Sequence, residues 1–302
     1  MESTIRPPDT SSVVVGVDGS DPARSAVLWA AGEAARRDRP LHIVHGADTD
    51  GRALYLSAET VERVRAAGRE LLDDTAKAVA AEYPGLHVTT EFSRTDAVSA
   101  LRRAGGLHGT VVVGHRGLGG FTSLLLGSVG LGVAALARNP VVVVRGTETA
   151  EEHRTVLAAV RDEHDLGCAR YAAQEAELRK ASLRLLHVWN MLQSVGDVVP
   201  MLDGVDEIAA GHEKTLWAVT GTIHDEFPDL TVQGDAEKGL SVAGVLVEAS
   251  RSADLLVMGG RRAPTPLGLG RTLGRATHSV LHHAHCPVLL IPRSDPHSDG
   301  GP

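Results

Sequence analysis

Cysteine is nearly absent from this chain: among 302 residues there are two, Cys168 and Cys286. A disulfide framework is therefore not expected, and a reducing compartment suits the sequence. Aromatic residues make up 3% and the formal net charge is -8, so there is neither a stacking platform nor a basic footprint for nucleic acid. Lysine is scarce as well, four against 26 arginines, which suits a GC-rich genome and carries no chemistry. No stretch of 18 apolar residues occurs, and the opening MESTIRPPDTSS lacks the apolar core of a signal peptide. The expectation is a cytoplasmic protein without a membrane partner. Several motifs are missing too. No Gly-x4-Gly-Lys-Ser/Thr occurs, Thr122 stands where a dinucleotide fingerprint begun at Gly117 and Gly119 needs its third glycine, and there is no Gly-x-Ser-x-Gly elbow. P-loop, nicotinamide and serine-hydrolase chemistry are disfavoured.

What is present is enough apolar material for cores, 43% hydrophobic against 23% charged, in a chain long enough for two domains. The chain also repeats itself. LHIVHGAD from Leu41 resembles LRLLHVWN from Leu183, EYPGLHVTTEF from Glu82 resembles EFPDLTVQGDA from Glu226, and NPVVVVR from Asn139 resembles CPVLLIPR from Cys286. VVVGVDGS from Val13 and TVLAAVRDE from Thr155 correspond in position. The offsets drift from 142 (Leu41 to Leu183) through 144 (Pro84 to Pro228) to 147 (Pro140 to Pro287), the signature of duplication. Two domains are expected, 13–146 and 155–293, with a polar linker at 147–154 and loose tails at 1–12 and 294–302.

Each half alternates five apolar runs with helical stretches. In the first half the runs lie near Val13 to Asp18, Leu41 to Ala47, Leu86 to Phe92, Thr110 to Gly114 and Val141 to Arg145. In the helical stretch from Ser25, the residues Ala26, Leu28, Trp29 and Ala30 are expected to face inward. Runs apolar on both sides and separated by helices predict α/β domains: open sheets of parallel strands with helices on both faces. Such sheets bind ligands beyond the carboxyl ends of their strands.

One loop leaves such a strand end. In TVVVGHRGLGGFTSLLLGSVG, from Thr110, the strand stops at Gly114, and Gly117 and the pair Gly127–Ser128 follow as Gly-x2-Gly-x9-Gly-Ser, with Ser128 opening a helix. Glycines let backbone amides close on an anion, and a helix start adds free N–H groups and the dipole. With VVVGVDGS at the first strand and NPVVVVR at the last, these residues resemble the nucleotide-binding branch of the universal stress protein family, over nearly the whole chain in tandem. The resemblance implies a Rossmann-like fold and an ATP site, with or without Mg. It places Asp18, beside Gly16 and Val17, near adenine and ribose, and Val44 in the wall of the adenine pocket. It gives Gly114, His115, Arg116, Gly117, Leu118, Gly119 and Gly120 to ribose and phosphates, and Gly127, Ser128 and Val129 to the phosphate oxygens. It also implies a nucleotide-dependent regulator of a stress response that signals to a protein partner. Pairing of last strands within the chain, and a further chain-to-chain dimer, are both open.

The second half departs from the pattern. After DLLVMGG, alignment puts Arg262 where Gly117 stands, Gly274 at Gly127 and Arg275 at Ser128, while Arg161 replaces Asp18 and prolines enter at 264 and 266. Proline removes amide donors, so the same anion site is not expected there. The rival reading is an arginine site for a more highly charged anion, built from Arg161, Arg261, Arg262, Arg271 and Arg275. His278, His282, His283, His285 and Cys286 crowd the last helix, but no carboxylate or cysteine set completes a metal site. Titratable candidates near the glycine loop are few, namely Asp18, His115 and Asp21, so binding is expected rather than catalysis. A slow ATPase or nucleotidyl-transfer enzyme of the same architecture is the alternative.

Overall fold

The computed structural model describes residues 12–52, 55–118, 126–136, 139–145, 152–190, 205–260, 262–264 and 271–292. In the first half, β1 (Val13–Gly16), β2 (Leu41–Gly46), β3 (Val88–Ser93), β4 (Val111–Gly114) and β5 (Val141–Val144) alternate with α1 (Asp21–Arg36), the short α2 (Thr49–Arg52), α3 (Ala58–Glu82), α4 (Ala97–His108) and α5 (Ser128–Leu136). In the second half, β6 (Thr155–Ala159), α6 (Leu166–Arg179), β7 (Ser182–Trp189), α7 (Val205–Glu226), β8 (Val232–Lys238), α8 (Val242–Ala249) and β9 (Leu255–Gly260) are followed by β10 (Arg262–Pro264), β11 (Arg271–Leu273), α9 (Arg275–His283) and β12 (Val288–Pro292). These residues fall into two compact units, and β10 and β11 group with the first-half unit.

Strand order is β3-β2-β1-β4-β5 in the first half and β12-β9-β6-β7-β8 in the second. Pairing is parallel at β1–β2, β1–β4, β2–β3 and β4–β5, with Val13 opposite Leu41 and Val112 opposite Val142. The same holds at β6–β7, β6–β9 and β7–β8. Runs of valine suit these strands because a β-branched side chain packs well on a pleated surface. Val14, Val15, Val112 and Val143 are fully buried, each worth about 2 kcal/mol of apolar burial. Helices cover both faces: α1 and α3 pack together on one side of the first sheet and α4 with α5 on the other, and α6 with α7 and α8 with α9 do the same in the second. β3 departs from the expectation of strands apolar on both sides. It forms the sheet's edge, and Thr89 and Thr90 are exposed, polar positions that discourage edge pairing.

Helix starts follow capping chemistry. The side chains of Ser20, Ser57, Asp96 and Ser241 accept hydrogen bonds from Ala23, Thr60, Ser99 and Gly244 amides, and Pro22 sits in the first turn of α1. The inward face of α1 is the expected one at Ala26 and Ala30 but not at Leu28 and Trp29. Ala23, Ala26, Val27, Ala30, Ala31 and Ala34 are buried, whereas Leu28 and Trp29 are half-buried. The spacing of three and four from Ala23 to Ala34 puts the small residues against the sheet, which lets the helix axis approach closely and turns Leu28 and Trp29 to its flank.

Duplication extends to the polar interior. Glu33 on α1 and Glu175 on α6 are each 2% exposed, and each pairs with the arginine four residues on, Arg37 at 2.5 Å and Arg179; Arg36 also reaches Glu33 at 2.7 Å. Likewise, His45 Nδ1 donates to the Val17 carbonyl (2.8 Å) and His187 Nδ1 to the Val160 carbonyl (2.9 Å). Both cysteines are buried, and burial pushes each thiol up to about 12, so neither is a thiolate at neutral pH. Among the described residues no helix is long and apolar enough to cross a membrane.

Removing one partner of a buried ion pair leaves the other charge without compensation. Glu33→Ala and Glu175→Ala should each destabilise by about 3 kcal/mol, seen as a lowered denaturant midpoint. A midpoint unchanged in both would show that the interior does not depend on these pairs.

Candidate functional site

The site forms where β1, β4 and β5 end together. Gly16 closes β1 opposite Val44; the Val17 amide donates to the Val44 carbonyl at 3.0 Å, and Val17 is buried. Asp18 follows in the turn to α1. Its Oδ1 accepts the Ser20 amide at 3.0 Å and the Ser20 hydroxyl at 2.7 Å, while its Oδ2 accepts the Leu118 amide at 2.9 Å, a hundred residues away. Val44 is 1% exposed, a core residue of β2 rather than an open wall.

Gly114 ends β4 opposite Val144. A Cβ there would lie 2.5 Å from the Pro22 carbonyl oxygen, so glycine is what allows β4 to end against the start of α1. The His115 amide donates to the Val144 carbonyl (3.2 Å), and the His115 carbonyl accepts the Gly127 amide (2.8 Å). That bond returns the loop to its origin and sets Ser128, exposed, as the first residue of α5, with Val129 next. Among the described residues beyond its chain neighbours, a Cβ on Gly127 would meet nothing closer than Arg116 Cα at 3.6 Å, and its φ is not positive. Among those residues neither sterics nor backbone conformation accounts for glycine at 127. Gly119 and Gly120 lie outside the described residues.

Positive charge gathers at the same strand ends. Burial, and then the Arg145 and Arg116 guanidiniums, hold His115 below its ordinary value. Arg145 is itself lowered by burial and by Arg116. Two guanidiniums so close to a helix start favour an anion. Sequence reading passed over Arg145, although its place after the last strand of VVVVR put it beside the glycine loop. It also missed Ser20, which shares the Asp18 carboxylate and caps α1.

The second half is built differently at each equivalent position. Arg161 donates to Asp165 from its amide (3.0 Å), Nε (3.0 Å) and Nη2 (3.3 Å), and Asp165 is 1% exposed. The buried carboxylate thus holds Arg161 within its own turn. Beyond β9 the chain continues into the antiparallel pair β10–β11, with Arg262 opposite Leu273 and Pro264 opposite Arg271. Its backbone is spent on strand pairing where the first half forms a glycine turn. Gly274 does take the Gly127 position at a helix start, and the exposed Arg275 follows it. Arg261 lies outside the described residues. Among those described, no group of three or more His, Cys, Asp or Glu residues could hold a metal ion.

Comparison with known proteins bears on the family and the fold. The profile of the Universal stress protein family matches residues 10–145 and again 152–292. A universal stress protein of Mycolicibacterium smegmatis is 30% identical over 290 residues, covering 92% of this chain and 96% of that protein. One from Mycobacterium tuberculosis is 28% identical over 296 residues, covering 96% and 98%. Among solved structures, a universal stress protein from Archaeoglobus fulgidus superposes with a TM-score of 0.69 at 18% identity, covering 95% of this chain and 97% of that one.

Two outcomes test the site's construction. Arg145→Met should raise the His115 pKa toward 6.5 by removing one of the charges that depress it, read by NMR titration of the imidazole; an unmoved titration would separate the two groups. Gly114→Ala should destabilise the chain by at least about 1 kcal/mol, whereas Gly127→Ala should cost no more than about 1 kcal/mol, the loss at a helix start. Equal costs in thermal melts would refute the distinction.

Proposed function

The chain belongs to the universal stress protein family, and we propose that its first half binds ATP while its second half is a scaffold that has lost the site. The observation that carries this is the contrast between equivalent strand ends. In the first half, a closed glycine turn, the start of α5 and two arginines converge; in the second, Arg161 is tied to buried Asp165 and the loop backbone pairs as a hairpin.

The residues fit a polyphosphate. Ser128 and the first amides of α5 would hold phosphate oxygens, where N–H groups are unused by the helix and the dipole favours negative charge. Arg116 and Arg145 would supply countercharge, and Gly127, for which the described residues show no steric need, leaves room for close approach. ATP is the ligand of this reading, with or without Mg. Binding, not turnover, is the proposed activity. The Asp18 carboxylate is already engaged by three donors, and His115, held below its ordinary value by burial and then by Arg145 and Arg116, is a weakened base. That leaves little to position an attacking water. The biological role is then nucleotide-dependent: occupancy shifts the loop that ends β4, and a protein partner reads that shift in a stress response.

Isothermal titration of the whole chain with ATP tests this. Ser128→Ala should weaken binding by about 1–3 kcal/mol, one lost bond to a charged group. Gly127→Ala should weaken it tenfold or more, about 1.4 kcal/mol, with the fold intact. Affinity should also fall with salt, because the arginine contacts are screened. Unchanged affinity in both variants would place the ligand elsewhere.

A further inference from the structure

We propose that Asp18 is a positioning residue, a clasp that holds the glycine loop in shape, and that glycine at 117 is required by this carboxylate rather than by a ligand. The inference deepens the ATP-binding reading and rests on it only for its consequence for affinity; the clasp itself stands on bonds within the chain.

Three observations carry it. The two oxygens of Asp18 are divided between two loops: Oδ1 takes the Ser20 amide and hydroxyl, and Oδ2 takes the Leu118 amide. Charge-assisted bonds of this kind are among the stronger ones a loop can make. Next, a Cβ on Gly117 would sit 2.2 Å from Asp18 Oδ2, and among the described residues beyond its chain neighbours the three nearest atoms it would meet all belong to Asp18. The carboxylate can reach the Leu118 amide only across a residue with no side chain. Then there is the exposure of the loop: Leu118 is 72% exposed, so apolar burial does not explain its placement, and the Asp18 bond is what ties its backbone to the core of the unit. Ser20 links the clasp onward, since its hydroxyl also accepts the Ala23 amide at the start of α1 (3.3 Å). The turn after β1, the start of α1 and the loop after β4 are therefore one hydrogen-bonded unit with Asp18 at its centre. In the second half Arg161 holds the Asp18 position and bonds instead within its own turn to Asp165, so among the described residues it makes no such clasp.

The consequence is a coupling between positions 18 and 117 that a direct ligand contact by each would not produce. Substituting either residue breaks the same bond, so the second substitution should add little to the first. Hydrogen exchange, read by NMR without nucleotide, is the first test. In the native chain the Leu118 amide, though its residue is exposed, should exchange at least about tenfold more slowly than a free amide, and Asp18→Ala should abolish that protection. Free exchange in the native chain would overturn the clasp, and needs no variant to fold. The second test is a cycle. Gly117→Ala should lower the melting temperature of the native chain and leave that of Asp18→Ala nearly unchanged, and the double variant should bind ATP no more weakly than the weaker single variant. Additive losses of ATP affinity would show that each residue meets the nucleotide independently and would overturn the assignment. If ATP fails to bind at all, the exchange and melting results still decide the clasp, so the two readings fail separately.

Discussion

The candidate site depends on how closely β4 approaches the start of α1. At Gly114 the backbone passes so near the Pro22 carbonyl that any Cβ would lie 2.5 Å from its oxygen. Parallel pairing aligns the ends of β1, β4 and β5, but alignment alone does not make a site. The close approach lets the loop after β4 fold back over the turn after β1, where Asp18 meets Leu118 and the His115 carbonyl meets Gly127. From there α5 starts with its free amides at the carboxyl ends of the strands, and Arg116 and Arg145 share the same small region. Without the approach at Gly114, donors and charges would belong to separate loops.

The duplicated halves show what a shared scaffold keeps and what it releases. Both retain the buried glutamate–arginine pair on the first helix and the histidine bonded to the carbonyl after the first strand. Those features serve the interior, where an uncompensated charge or polar group is costly. The loops at the strand ends carry no such penalty and have diverged: an aspartate that reaches across to a second loop in one half, and an arginine closed on its own turn in the other. The interior preserves the fold, and the difference in function lies in backbone approach at one loop.

Much of this was legible in the sequence because it repeats and because glycine leaves a distinct trace. The tandem organisation, the parallel sheets and the Gly114-to-Ser128 loop follow from spacing alone. What the spacing could not give was the reason for each glycine. Gly114 answers to Pro22 and Gly117 to Asp18, while Gly127 answers to nothing among the described residues; a sequence shows the three as equals. Val44 read as a pocket wall is a core residue, since an apolar strand position looks the same from either side. Leu28 and Trp29 read as inward beside Ala26 and Ala30, but only the alanines of that set keep the face, because small residues let α1 lie close to the sheet. Arg145 was passed over because a charge that ends a strand is usually solvated, and only the packed structure shows it half-buried beside Arg116.

The account's central claim is that one half of the chain, and not the other, is a nucleotide site. Counting bound ATP per chain by native mass spectrometry over a titration, at an ionic strength that leaves arginine–phosphate contacts unscreened, tests it most directly. The account predicts saturation at a single ATP per chain, lost in the Ser128→Ala, Gly127→Ala double variant. Two ATP per chain of similar affinity, or a single one that survives in that variant, would contradict it.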